Sequence, residues 1–197
     1  MTDARVVVLA SGSGSLLQAL VDQQSMIGID IVALVVDKEV PAVGRAQAAD
    51  ISVIEVPMLG DRSQWDQVME SVLTDLVPDL IISAGFMRIL GPNVVNRFAG
   101  KLINTHPALL PAFPGAHAVR DALAAGVKVT GTTIHFVDAG VDTGPIIAQR
   151  EVEIIPSDTE ESLHERIKVV ERELLVSTVR ELVTGKIAVI DGKVVTQ

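Results

Sequence analysis

Val6-Val7-Val8-Leu9-Ala10-Ser11-Gly12-Ser13-Gly14-Ser15-Leu16-Leu17 decides the architecture of this chain. Val6–Ala10 has the β-branched, apolar composition of a strand, Ser11–Gly14 is a turn, and Ser15–Gln24 is a helix with Leu16, Leu20 and Gln23 at helical spacing. The same alternation continues outward. Ile31–Val36 and Val53–Val56 read as strands flanking a helix over Pro41–Ala49. Arg62–Leu76 reads as a helix with Trp65, Val68, Met69, Val72 and Leu76 as its buried stripe. Leu80–Ala84 is apolar on both faces, as expected of a central strand covered on both sides by helices. Strands alternating with helices predict an α/β protein with an open, mostly parallel, doubly wound sheet.

The second half departs from strict alternation. Pro92–Phe98 reads as a short helix, Leu102–Thr105 as a strand and Ala116–Ala125 as a helix stopped by Gly126. Thr130–Phe136 and Ile146–Ile154 are joined by too few residues for a parallel crossover, so they are expected to pair antiparallel. Ser157 and Glu160 have capping-box spacing at the start of a long helix reaching about Val183. A hairpin over Ile187–Ile190, the turn Asp191-Gly192 and Val194-Val195 completes the chain. All 197 residues are expected to form one domain, with 1–100 as the nucleotide-phosphate half and 101–197 as the catalytic half.

Composition narrows the function. The chain is 48% hydrophobic and 21% charged, which suits a packed globule. It has no cysteine, so thiolate chemistry and disulfides are excluded and a reducing cytoplasm is the expected compartment. Sixteen basic against 25 acidic residues give a net charge of −9, which argues against a nucleic-acid partner. The charge-free stretch Leu102–Val119 is interrupted by Pro107, Pro111 and Pro114 and is not expected to span a membrane.

Three segments carry chemistry. The Ser11–Ser15 turn points backbone N–H groups at an anion, but Leu17 stands where a dinucleotide fingerprint needs glycine, and no Gly-Lys-Ser/Thr follows. A phosphate monoester at Gly14, Ser15 and the next amide is the functional reading; a tight turn with a serine cap is the structural one. Asn104-Thr105-His106-Pro107 falls at a strand's carboxyl end, where open α/β sheets bind ligands. There an amide can donate to an oxyanion while an imidazole moves a proton. Asp142, within Asp138-Ala139-Gly140-Val141-Asp142-Thr143-Gly144-Pro145, is placed to orient His106 and raise its pKa. Phe86-Met87-Arg88-Ile89-Leu90 reads either as a loop finishing the core or as the wall of a flat pocket for a heterocycle. His164, Lys168 and Glu171 share a helix face, ordinarily a solvated one. His106, His117, His135 and His164 show no pair at metal-ligand spacing, and no metal is expected.

Across essentially its whole length the chain resembles the phosphoribosylglycinamide formyltransferases of purine synthesis. The resemblance is carried by Val8–Ser15, Ala84–Leu90, Asn104–Pro111, Gly131–Val137, Asp142–Ile146 and Glu165–Lys168. It implies a Rossmann-like formyltransferase fold and transfer of a formyl group from 10-formyltetrahydrofolate, as co-substrate, to the amine of glycinamide ribonucleotide. Asn104, His106 and Asp142 then occupy catalytic positions. Gly14, Ser15, Leu16 and Glu171 match contacts to the ribonucleotide. Arg62, Met87, Arg88, Ile89, Leu90, Asn104 and the loop Asp138, Ala139, Gly140, Val141 and Asp142 match contacts to the folate. Leu16 departs from the asparagine of some members, which removes a side-chain contact and keeps the amide. The implied partners are small molecules, with a homodimer left open.

Methionyl-tRNA formyltransferases share the catalytic segment but carry a further C-terminal domain and a basic surface. Formyltetrahydrofolate hydrolases share it behind a regulatory domain. An idle nucleotide-phosphate binder is the alternative outside catalysis, disfavoured by the joint presence of Asn104, His106 and Asp142.

Overall fold

From Val6 to Leu9 no side chain reaches solvent. Strand alternation sends Val6 and Val8 into one core and Val7 and Leu9 into another. Their strand is therefore central, with helices on both faces. The computed structural model describes residues 3–58, 60–190 and 193–196. Its elements are β1 (Ala4–Ala10), α1 (Ser15–Ile27), β2 (Ile29–Val36), α2 (Ala42–Ala48), β3 (Ser52–Glu55), α3 (Arg62–Asp75), β4 (Leu80–Ser83) and α4 (Pro92–Arg97). Then follow β5 (Leu102–His106), α5 (Ala118–Ala124), β6 (Val129–Phe136), β7 (Ile146–Glu153), α6 (Glu160–Val183), β8 (Ile187–Ile190) and β9 (Lys193–Thr196).

The seven-stranded sheet has the order β3-β2-β1-β4-β5-β6-β7. Pairing is parallel from β3 through β5 and antiparallel at β5–β6 and β6–β7. The order reverses at β1, between β2 and β4, which opens a ligand crevice at the carboxyl ends of those strands. Leu17 and Leu20 of α1 and Leu174, Leu175 and Val179 of α6 cover one face. Trp65, Met69 and Leu73 of α3 and Val94 of α4 cover the other.

Two local expectations are corrected. Val68 is 52% exposed, and Asp66 takes a place in the buried stripe of α3. The reason is a hydrogen bond: Asp66 Oδ2 accepts from the Asn93 amide at 2.9 Å, tying α3 to the first turn of α4. The cap of α6 is Thr159, not Ser157. Thr159 Oγ1 accepts from the Ser162 amide and Ser162 Oγ accepts from the Thr159 amide, so the reciprocal partner is Ser162 where Glu160 was expected. Thr159→Ala should cost about 1 kcal/mol of stability, the usual worth of such a cap, read as a lower urea midpoint at unchanged slope. The terminal strands β8 and β9 pair antiparallel; the expected turn Asp191-Gly192 lies outside the described residues. Among the described residues no helix is long and apolar enough to cross a membrane.

Candidate active site

The glycine-rich turn leaves β1 and enters α1 through Gly14, which has φ 73°, the left-handed region glycine tolerates. No side chain caps this end of the helix, so the serine-cap reading is set aside. A Cβ on Gly14 would lie 2.8 Å from both Cα and Cβ of Ala42. The turn is thus seated against the start of α2, which also donates from the Ala42 amide to the Gly12 carbonyl at 3.2 Å. Arg45 Nε donates to the Ser13 carbonyl at 2.9 Å. The Leu16 side chain is buried in the core, 6% exposed.

Asn104 and His106 point to one face of β5 and Thr105 to the other. Asn104 pairs in register with His135 on β6, and Asn104 Nδ2 lies 3.2 Å from His135 Nε2. His135 Nδ1 donates to the Phe136 carbonyl at 2.9 Å, and its Nε2 faces both Asn104 Nδ2 and the Asp142 carboxylate; the Asn104 amide has two N–H groups, so at least one is left for a ligand. His106 is 3% exposed. Its Nε2 donates to the Phe113 carbonyl at 2.8 Å, and its Nδ1 lies 3.3 Å from Asp142 Oδ2. Asp142 Oδ1 lies 3.5 Å from His135 Nε2, so one carboxylate spans both imidazoles. Asp142 has φ 55°, a conformation aspartate and asparagine adopt more readily than most residues.

Electrostatics correct one expectation here. Burial, the largest influence, holds His106 below the ordinary imidazole value, against the upward pull of Asp142 and the Phe113 carbonyl. The carboxylate does favour the imidazolium, but desolvation outweighs it. Both ring nitrogens face acceptors, so a proton arriving on the neutral ring completes its hydrogen bonding. Asp142 itself is lowered to about 2, first by the hydrogen bond from His135 and further by the Gly115 amide and His106. Its contribution to stability is full above the unfolded carboxylate value and is lost as the pH falls toward about 2.

The proline-rich segment after His106 packs as expected of an apolar irregular stretch. Thr133 Oγ1 accepts from the Leu110 amide at 3.1 Å and donates to the Ala108 carbonyl at 2.6 Å. Gln149 Nε2 donates to the Leu110 carbonyl at 2.8 Å. These bonds hold the backbone that presents the Phe113 carbonyl to His106. The loop before Asp142 is shaped by Asp138, whose Oδ1 accepts from the Gly140 amide at 3.0 Å and from Thr143 Oγ1 at 2.7 Å.

A formyl transferase family model matches residues 4–179. The chain belongs to the formyl transferase family. It is 53% identical over 192 residues to phosphoribosylglycinamide formyltransferase of Mycobacterium tuberculosis, covering 95% of this chain and 88% of that one. The crystal structure of glycinamide ribonucleotide transformylase 1 from Symbiobacterium toebii superimposes with a TM-score of 0.94 at 34% identity, covering 99% of this chain and 94% of that one. A formyltetrahydrofolate deformylase from Pseudomonas syringae pv. tomato has a TM-score of 0.92 at 27% identity, covering 98% of this chain and 66% of that one.

In this formyl transferase chain the expected segments end on neighbouring strands. The phosphate turn follows β1, the Met87–Leu90 wall follows β4, and Asn104 and His106 close β5. Met87 and Ile89 are 65% and 58% exposed, as suits a wall, and Arg62 Nη2 donates to the Ile89 carbonyl at 2.6 Å. Glu171 is not on a solvated face: it is 6% exposed, within the buried stripe of α6. Burial raises its pKa, partly offset by a hydrogen bond from the Thr105 hydroxyl. Thr105 and His106 face opposite sides of β5, so a ligand touching both Glu171 and His106 must cross the strand's carboxyl end. Arg88 and Lys168 are ion-paired, to Asp37 and Glu165, both at 2.7 Å. Neither is a free cation for an anionic ligand. His135 is the member of this side-chain cluster that reading by segment missed. Its signal was present, because pairing the two strands in antiparallel register sets it opposite Asn104.

Proposed function

We propose that this chain transfers the formyl group of 10-formyltetrahydrofolate to the amine of N1-(5-phospho-D-ribosyl)glycinamide, as a cytoplasmic enzyme of purine synthesis. The observation that carries the reading is the convergence of Asn104, His106, His135 and Asp142 at the end of β5, beside the Met87–Leu90 wall. The ribonucleotide's phosphate sits on the amides of Gly14, Ser15 and Leu16, and its ribose meets Glu171. The folate lies along Met87–Leu90, with Arg62 toward its acidic tail and Asp138–Asp142 over the pterin.

The amine nitrogen attacks the formyl carbon, forming the new C–N bond and a tetrahedral intermediate with an anionic oxygen. The free N–H of Asn104 donates to that oxygen; one such donor is worth about 3–4 kcal/mol in comparable sites. The neutral His106 ring takes the proton lost by the amine as its Nε2 exchanges the Phe113 carbonyl for the substrate, and Asp142 at Nδ1 stabilises the imidazolium so formed. Returning that proton to N10 of the folate lets the C–N10 bond break, giving the N-formyl product and tetrahydrofolate. Every ring nitrogen of His106 and His135 is engaged with a protein partner, and the scheme assigns no step to a metal.

The likeness to a deformylase favours a second reading, hydrolysis of the same donor with release of formate. Purified protein given both substrates should form N-formyl product and tetrahydrofolate in equal amounts, and exhaustive chelation should leave that rate unchanged. Formate release at the same rate without the ribonucleotide would overturn transfer in favour of hydrolysis. Activity lost on chelation and restored by zinc or magnesium would overturn the metal-free scheme.

A further inference from the structure

Arg88 is the one residue of the Met87–Ile89 stretch whose side chain turns back toward the sheet. Its Nε donates to Asp37 Oδ2 at 2.7 Å, and the Asp37 side chain is only 1% exposed. Asp37 directly follows β2, two strands away from the wall. Between them stands Ser11, at the end of β1. Its Oγ accepts from the Met87 amide at 2.9 Å, and its own amide donates to the Gly85 carbonyl at 3.2 Å. The wall is therefore clamped at successive residues: Met87 by Ser11, Arg88 by Asp37 and Ile89 by Arg62. Asp37 Oδ1 is buried with no hydrogen-bond partner among the described residues. A buried carboxylate held by the Ser11 hydroxyl and one guanidinium depends on that single cation, since losing it leaves an uncompensated charge in the interior. Arg88 is thereby held in one place, and its neighbours Met87 and Ile89 are turned outward.

We infer that Asp37 is a positioning residue: through Arg88 it sets the backbone of the Met87–Leu90 wall and so the affinity for the formyl donor. The inference rests on the reading of that wall as the donor's binding surface. Asp37 acts through Arg88, with the Ser11 hydroxyl as a second link to Met87.

The test is steady-state kinetics of the full chain with each substrate varied in turn, alongside calorimetric binding of tetrahydrofolate, for Asp37→Ala, Asp37→Asn, Arg88→Met and the double variant Asp37→Ala/Arg88→Met. Asp37→Ala should raise KM for 10-formyltetrahydrofolate roughly tenfold and weaken tetrahydrofolate to match, while kcat and the ribonucleotide KM stay within about twofold. Asp37→Asn, which keeps shape and one neutral acceptor, should recover part of the loss. The double variant should lose less than the two single losses combined, because both changes break one interaction. Unchanged donor KM, equal losses for both substrates, or additive effects in the double variant would overturn the proposal. So would loss of the folded state in both Asp37 variants, which would make the pair a stability element. A wild-type chain that binds tetrahydrofolate but transfers no formyl group counts against the assigned reaction. Its Asp37 variants still report on the wall through calorimetry.

Discussion

Asp142→Asn should lower the single-turnover rate of formyl transfer by roughly 10²–10⁴, the range of a positioned acid–base group. Both substrates should still bind with near-native affinity. Asparagine keeps the shape and accommodates φ 55°. What it removes is a charge lying 3.3 Å from His106 Nδ1 and 3.5 Å from His135 Nε2. His106 already sits below the ordinary imidazole value because it is buried, with Asp142 pulling it back up. Without that pull its pKa falls further, so the limb of the pH–rate profile belonging to His106 must move to lower pH. Rate against pH for both proteins separates this from general damage. A limb that stays in place, with more than about a tenth of the wild-type rate retained, would show that Asp142 does not act through His106.

Gly14→Val should weaken glycinamide ribonucleotide by on the order of 10²-fold, equivalent to about 2.7 kcal/mol, and leave the folate nearly untouched. The physical cause differs from simple occlusion of the phosphate. A Cβ at position 14 points at Ala42, 2.8 Å from its backbone, and a β-branched residue is disfavoured at φ 73°. The turn must therefore lift from α2 and take its donors with it. Titration calorimetry with each ligand reads the outcome, with circular dichroism to establish that the sheet is intact. Equal loss of both ligands in a folded protein would remove the phosphate from this turn.

The parts of this molecule set by local pattern were legible from residues alone. Val6–Ala10 and Leu80–Ala84 announce buried strands because each run is apolar on both faces, and the short link between Phe136 and Ile146 dictates an antiparallel pair. Asn104 and His106 declared themselves by standing at a strand end. What escaped depends on partners far away in sequence. Asp66 was absent from the expected buried stripe, and the Asn93 amide that buries it lies 27 residues on. Nothing in the sequence tied Arg88 to Asp37, 51 residues away. His135 required a register, and Glu171 required knowing that α6 lays that face over Thr105. The net pull on His106 was misjudged for a related reason: a charge partner can be read from sequence, whereas the depth of burial cannot.

The central place of β1 has a consequence for how the chain acquires its activity. The strand pairs with β4, and the Arg5 amide donates to Asp79, 74 residues further on. Closing so long a loop is entropically unfavourable and slow compared with forming any of the helices. The wall, the turn and the histidine pair each sit on a different strand of that assembly, so no early hairpin or helix carries a partial site. During refolding, secondary structure should return well before catalysis. Recovered turnover then dates the moment at which β1 slots between its two neighbours.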